Sequence, residues 1–98
     1  MDEIRGMLKQ LIELLKAESW NEATKLAKQI SALAEPNINR DKYQRVFNFT
    51  KAFAESYPAM KIYDLEKPRL ATIYGHFKEL HISNATSLEK YLAPEEKN

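Results

Sequence analysis

Apolar residues recur along this chain at the three-and-four spacing of a helix face, and nowhere do they alternate for long enough to build an amphipathic strand. In the first stretch, Ile4, Met7, Leu8, Leu11, Leu14 and Leu15 predict a helix over residues 3–17, with the stripe widened by Ile12. A stripe that broad implies contact with two neighbouring helices, or with a partner. Ser19-Trp20-Asn21-Glu22 then has the form of a capping box, in which the serine hydroxyl accepts from the amide three residues on and the glutamate reaches back to the serine amide. The second helix presents Trp20, Ala23, Leu26, Ala27, Ile30, Leu33 and Ala34, and ends near residues 33–35 because Pro36 restricts its predecessor and has no amide to donate. Three intervening residues predict an antiparallel hairpin, with Ala23 and Ala27 allowing close approach and Trp20 as its anchor.

Asn39 is the expected N-cap of a third helix, whose face runs through Tyr43, Val46, Phe47, Thr50, Phe53, Ala54 and Tyr57, with Phe49 off the stripe. An aromatic there is either sandwiched in the bundle or offered to a partner. Pro58 stops this helix, and residues 59–63 are too short to classify. A fourth helix is expected with Asp64 near its cap, Pro68 in its first turn and Leu70, Ile73, Tyr74, Phe77, Leu80 and His81 on its face. Gly75 falls inside it, where glycine costs about 1 kcal/mol relative to alanine unless a tight helix crossing requires it. A turn over 82–85, a second capping box at Thr86-Ser87-Leu88-Glu89 and the stop at Pro94 define a short fifth helix. The expected architecture is all-α: a bundle of four main helices plus a short C-terminal helix, one domain over 1–94 with a disordered tail over 95–98.

Composition narrows the setting. With 98 residues, 44% hydrophobic, 30% charged, 2 Gly and 4 Pro, the chain belongs to the globular class and has length for one core. The absence of cysteine excludes disulfides, thiolate metal sites and cysteine nucleophiles. No apolar run reaches the roughly 18 residues of a membrane span, and Met1-Asp2-Glu3 is acidic where a signal peptide is basic, so a cytoplasmic location is expected. Without a secretion signal, the sequons at Asn48 and Asn84 are set aside. Net charge is +1, too small to steer the whole molecule, but five basic residues (Arg40, Lys42, Arg45, Lys51, Lys61) stand against Asp41 and Glu55 between Pro36 and Tyr63. This is a mild basic belt.

Catalytic chemistry is not expected. His76 and His81 are the only histidines, and five residues place them about 140° apart on a helix, so they do not share a face as a metal-binding pair would. His81 is expected to pack and His76 to face solvent. No glycine-rich loop follows a strand, and no metal or cofactor is expected.

Two stretches resemble known families. Trp20-Asn21-Glu22-Ala23, with Ala27 four residues on and Pro36-Asn37 closing the helix, resembles the second helix of a tetratricopeptide repeat, which implies a helical-hairpin interaction module. The repeat length from Ala23 and Ala27 lands on Tyr57 and Lys61, so no second copy is in register. Residues 77–86, Phe77 to Thr86, resemble the turn region of bacterial repressor helix-turn-helix domains, which implies Ser83, Asn84 and Thr86 near phosphates and bases, with Lys90 as the only basic residue of the second helix and His81 where the turn glycine is usual.

The expected function is therefore a small helical protein-protein interaction or regulatory module, with a protein partner or a second copy in a homodimer rather than a membrane or nucleic acid. Its expected contact residues are Ile12, Lys42, Arg45 and Phe49, on the outer side of the first and third helices. The alternative is a DNA-binding regulator using Ser83, Asn84, Thr86 and Lys90.

Overall fold

The computed structural model describes residues 2–93, which form α1 (Asp2–Lys16), α2 (Trp20–Ala34), α3 (Asp41–Glu55), α4 (Tyr57–Leu65) and α5 (Lys67–Leu92), with a 3-10 turn at Glu35–Asn37. The tail expected to be disordered, 95–98, and the stop at Pro94 lie outside the described residues. The all-α bundle is as expected, with a different distribution of its helices.

The first two helices begin and end close to their predicted positions, but their caps differ. Ser19 holds the N-cap position of α2 without a side-chain cap hydrogen bond, so the capping box is not made. The preceding turn is instead closed by backbone. Ser19 N–H donates to the Leu14 carbonyl at 2.9 Å and Glu18 N–H to Leu15 at 3.1 Å, the paired bonds of a Schellman motif. Its pivotal residue is in the left-handed region that favours glycine, and here it is Glu18, at φ 60°. Likewise α3 starts after Arg40 rather than after Asn39, because the backbone continues through a 3-10 turn and Arg40 N–H bonds the Asn37 carbonyl.

The larger correction is at the C-terminal half. The segment after Pro58, too short to classify by its pattern, is a helix: Pro58 occupies the first turn of α4, where a missing amide costs no hydrogen bond. Asp64 lies within α4, and α5 is capped at Glu66, with Pro68 in its first turn as expected and a local departure from helical angles at Leu70. The predicted turn over 82–85 does not form, and α5 runs through it to Leu92. Thr86 shows why: its hydroxyl donates back to the Ile82 carbonyl at 2.7 Å instead of capping a new helix, while Ala85 and Leu88, one turn apart, are both buried. With His81 at the position of a turn glycine, nothing there favours a left-handed break.

The helices pack as a ring. α1 lies against α2 and α5, and α3 against α2 and α5, while the backbones of α1 and α3 make no close approach. The directions alternate. Arg5 and Lys9 near the start of α1 pair with Glu89 near the end of α5 at 3.4 and 3.7 Å, and Phe53 late in α3 meets His81, so α5 runs antiparallel to both. α4 folds back on the N-terminal part of α5, with Tyr63 stacked on Phe77 at 5.1 Å. The interior holds Leu8, Leu11 and Leu15 of α1, Ala23, Ala27 and Ile30 of α2, Val46 and Phe53 of α3, Met60 of α4 and Ala85 of α5, all essentially without exposure. Thr50 is buried among them and satisfied by the Val46 carbonyl at 2.8 Å and the Ser31 hydroxyl at 2.7 Å. A Cβ built on Gly75 meets nothing within 4 Å, so no helix crossing requires that glycine.

Trp20 anchors more than its hairpin. It is buried between Phe53 of α3, at 6.5 Å, and Tyr74 of α5, at 6.1 Å and edge-on, so its ring joins three helices at one end of the bundle. The fourth apolar stripe is rotated from its expected position: Tyr74 is buried, whereas Ile73 and Leu80 are exposed. The uninterrupted helix carries the buried face through Ala85, Leu88 and Leu92 instead.

Candidate functional site

Polar chemistry gathers in two places, each around a tyrosine of α5. At the Trp20 end, the indole N–H donates to the Tyr74 oxygen at 3.0 Å. The Tyr74 hydroxyl in turn donates to Glu18, with Asp64 Oδ1 a second acceptor at 3.2 Å, and Lys78 Nζ holds the other Glu18 oxygen at 3.1 Å. The tight turn that puts Glu18 in the left-handed region is what aims its carboxylate at α5. Burial first, and then the Glu18 carboxylate, hold the Tyr74 hydroxyl far above its ordinary value, so it remains a protonated donor. Beside it lies a cleft of about 290 Å³ lined by Glu18, Trp20, Asn21, Glu22, Lys61 and Asp64. The clustered donors and acceptors satisfy one another, and their chemical product is a clasp between the α1–α2 turn, α4 and α5.

The second place is the groove between α3 and α5. Tyr91 donates its hydroxyl to Asp41, whose Oδ2 also accepts from Arg45 Nε at 2.9 Å. The Tyr91 hydrogen bond first, and Arg45 second, hold the Asp41 carboxyl below its ordinary value, and the acceptor raises Tyr91. The Arg45 guanidinium sits 4.8 Å and the Lys42 ammonium 5.8 Å from the centre of the Tyr91 ring. Further along, a depression of about 430 Å³ is lined by Asn48 and Phe49 of α3 and by Asn84, Ser87, Leu88 and Tyr91 of α5, with Arg45 at its edge. Phe49 is half-buried against the core, while Asn48, Asn84 and Ser87 are exposed and make no side-chain hydrogen bond with other described residues.

Of the residues expected from the sequence, Lys42, Arg45 and Phe49 come together here. Ile12 does not join them. It is half-buried on α1, packed against the core in a helix that has two neighbours, which explains the broad stripe without a partner. The outer side of α1 and α3 is therefore not one surface. The helix-turn-helix expectation fails on geometry, since Ser83, Asn84, Thr86 and Lys90 lie along one continuous helix with no turn to present a recognition helix. One of these four, Asn84, nevertheless lines the groove. Tyr91 and Ser87 were missed as site residues because the groove depends on which faces of α3 and α5 meet, and a false break in α5 hid that register.

The histidines are placed as expected: His76 is exposed, and His81 packs edge-on against Phe53 at 5.1 Å, where burial lowers its pKa. Exposed apolar side chains concentrate elsewhere, at Ile62 and Leu65 on the outward face of α4 and at Ile73 on α5. No helix of the described residues is long and apolar enough to cross a membrane. Comparison with protein-family models, with curated proteins and with solved structures gives no match to the chain.

Proposed function

We propose that this chain is a helical protein-interaction module whose contact surface is the groove between α3 and α5. One observation carries the reading. The half-buried Phe49 ring is flanked by Asn48, Asn84 and Ser87, whose polar groups the described residues leave open, and by an exposed cation-aromatic cluster at Tyr91. An apolar anchor point rimmed by unpaired amides and by cations has the makeup of an interface hot spot, where the ring supplies area and the rim supplies direction. The other polar centre has its groups already engaged with one another.

The test is a displayed library of 16-residue peptides selected on the immobilised whole chain. Clones are counter-screened on Phe49→Ser and on Ser87→Arg, the second being an exposed substitution that fills the groove without entering the core. Specific clones that lose binding to both variants, with the Ser87→Arg melting curve unchanged, are the expected result. A selection that returns no specific clone, or clones indifferent to Ser87→Arg, would overturn the reading.

A further inference from the structure

We infer that the groove accepts an acidic amphipathic helix, and that Asp41 in the free chain stands in for one of that helix's carboxylates. The inference rests on the interaction reading above and specifies the chemistry of the partner. Among the described residues, three cations, Arg40, Lys42 and Arg45, and one carboxylate, Asp41, stand around Tyr91. That single carboxylate already takes hydrogen bonds from both Arg45 and Tyr91, so Arg40 and Lys42 have no acidic partner among the described residues. A surplus of positive charge beside an aromatic face selects an anionic counterpart. A second copy of this chain docked with its two-fold axis at the Tyr91 cluster would set Lys42 and Arg40 against the same residues of the partner, and like charges so placed are repulsive. Charge complementarity therefore assigns the groove to an acidic segment of a different chain.

The spacing of groups defines it further. Arg45 and Lys42 precede Phe49 on α3 by four and seven residues, which at 1.5 Å per residue puts them about 6 and 10 Å along the groove from the ring. A helix lying in the groove meets these positions with one apolar side chain and with carboxylates four and seven residues from it, all on one face. Leu88 continues the apolar floor opposite Phe49, and Asn48 and Asn84 face the occupant's polar edge. Asp41 holds Arg45 and Tyr91 in place when nothing is bound. An incoming carboxylate takes over the same two donors, and Asp41 is the group it displaces.

The experiment uses a fluorescein-labelled, alanine-based 16-residue peptide with a central leucine and glutamates four and seven residues to either side, and its counterpart with glutamine for glutamate. Fluorescence anisotropy is read on the whole chain, on Lys42→Glu and on Asp41→Asn, with a 16-nucleotide oligouridylate as competitor. The glutamate peptide is expected to bind at least about tenfold tighter than the glutamine peptide, to weaken by a similar factor on Lys42→Glu, and to tighten about threefold on Asp41→Asn, factors typical of one or two exposed charge pairs. Equal binding of the two peptides would overturn the acidic partner and leave the interaction reading standing. The acidic partner is equally overturned if neither peptide binds while library clones sensitive to Ser87→Arg are recovered, whereas failure of both experiments removes both readings. Weaker binding on Asp41→Asn would make Asp41 a positioning residue and overturn its role as stand-in. Tighter binding of the oligouridylate than of the glutamate peptide would overturn the inference in favour of nucleic acid.

Discussion

Tyr74 and Tyr91 lie on the same helix, and each gives its hydroxyl proton to a carboxylate that a cation also holds: Glu18 with Lys78 in one case, Asp41 with Arg45 in the other. The residue types match, yet the settings do not. Tyr74 is 6% exposed and receives the indole N–H of Trp20, whereas Tyr91 is 41% exposed and has cations over its ring. In the first setting the indole–tyrosine bond is buried and water replaces a lost partner only in part, so each hydrogen bond counts toward stability. In the second, water replaces any partner at little cost, so the same bonds contribute little to the fold and are free to be exchanged for those of a ligand. Burial, not residue type, divides the structural cluster from the one suited to binding.

The largest effect expected from this contrast is at Trp20. Trp20→Ala removes the ring that joins α2, α3 and α5 and should lower the unfolding free energy by about 3–5 kcal/mol. Urea unfolding reads it directly. A loss below about 1 kcal/mol would show that this end of the bundle collapses without its anchor.

Next is Tyr74→Phe, which keeps the ring and removes the hydroxyl. It takes the Tyr74 oxygen from the indole N–H and one donor from Glu18, which keeps Lys78, for an expected loss of about 1–3 kcal/mol. A neutral outcome would mean that water reaches the cluster, and the contrast with Tyr91 would lapse.

Glu18→Gly sharpens the same point through its sign. Glycine relieves a left-handed backbone worth about 1 kcal/mol, while removal of the carboxylate breaks its bonds to Tyr74 and Lys78. Net destabilisation is expected in the same urea assay. A net gain would mean that the turn, and not the clasp, dominates.

His81 stands between the two tyrosines and supplies a pH dependence. Burial against Phe53 and Phe77 keeps its imidazole below the ordinary 6.5 in the folded chain, while the unfolded chain protonates near that value. The folded state thus binds fewer protons, and stability, full above about pH 6.5, should decline as pH falls below it until folded His81 also protonates. His81→Gln should flatten that slope of melting temperature against pH. An identical slope in the variant would assign it to other groups.

The smallest stability effect is at the exposed centre. Tyr91→Phe should leave the urea midpoint essentially where it is, as at other surface positions. A cost comparable with that of Tyr74→Phe would mean that the Asp41–Tyr91 contact fastens α3 to α5, and would count against its exchange for a ligand.

Periodicity was enough to read α1, α2 and most of α3, because Leu8, Leu11, Leu15, Ala23, Ala27, Ile30 and Val46 face one direction in helices with clear interruptions. It was misleading where local residue types have two uses. Ser, Asn and Thr at 83–86 serve as caps elsewhere, but here the packing of Ala85 and Leu88 against the bundle overrides that preference and the helix continues. Proline misled in the opposite direction at Pro58, which opens α4 as readily as it forbids the extension of α3. The candidate site was legible in half. The basic residues and Phe49 stood out by composition and by departure from their stripe, whereas the pairing of Tyr91 with Asp41 across 50 positions leaves no local pattern. Glu18 gave no sign either, since only the observed φ shows that a glycine position has been given to a carboxylate.

The two centres can be watched together in a ¹⁵N–¹H correlation spectrum titrated with a groove-selected peptide, because the single tryptophan provides one indole N–H signal that reports on the Trp20 end alone. Shifts confined to Lys42, Arg45, Asn48, Phe49, Asn84, Ser87 and Tyr91, with the indole signal unmoved, are the expected result. Shifts centred on the indole and on Glu18, Asp64 and Tyr74, with the groove amides unchanged, would contradict the assignment of binding to the exposed centre.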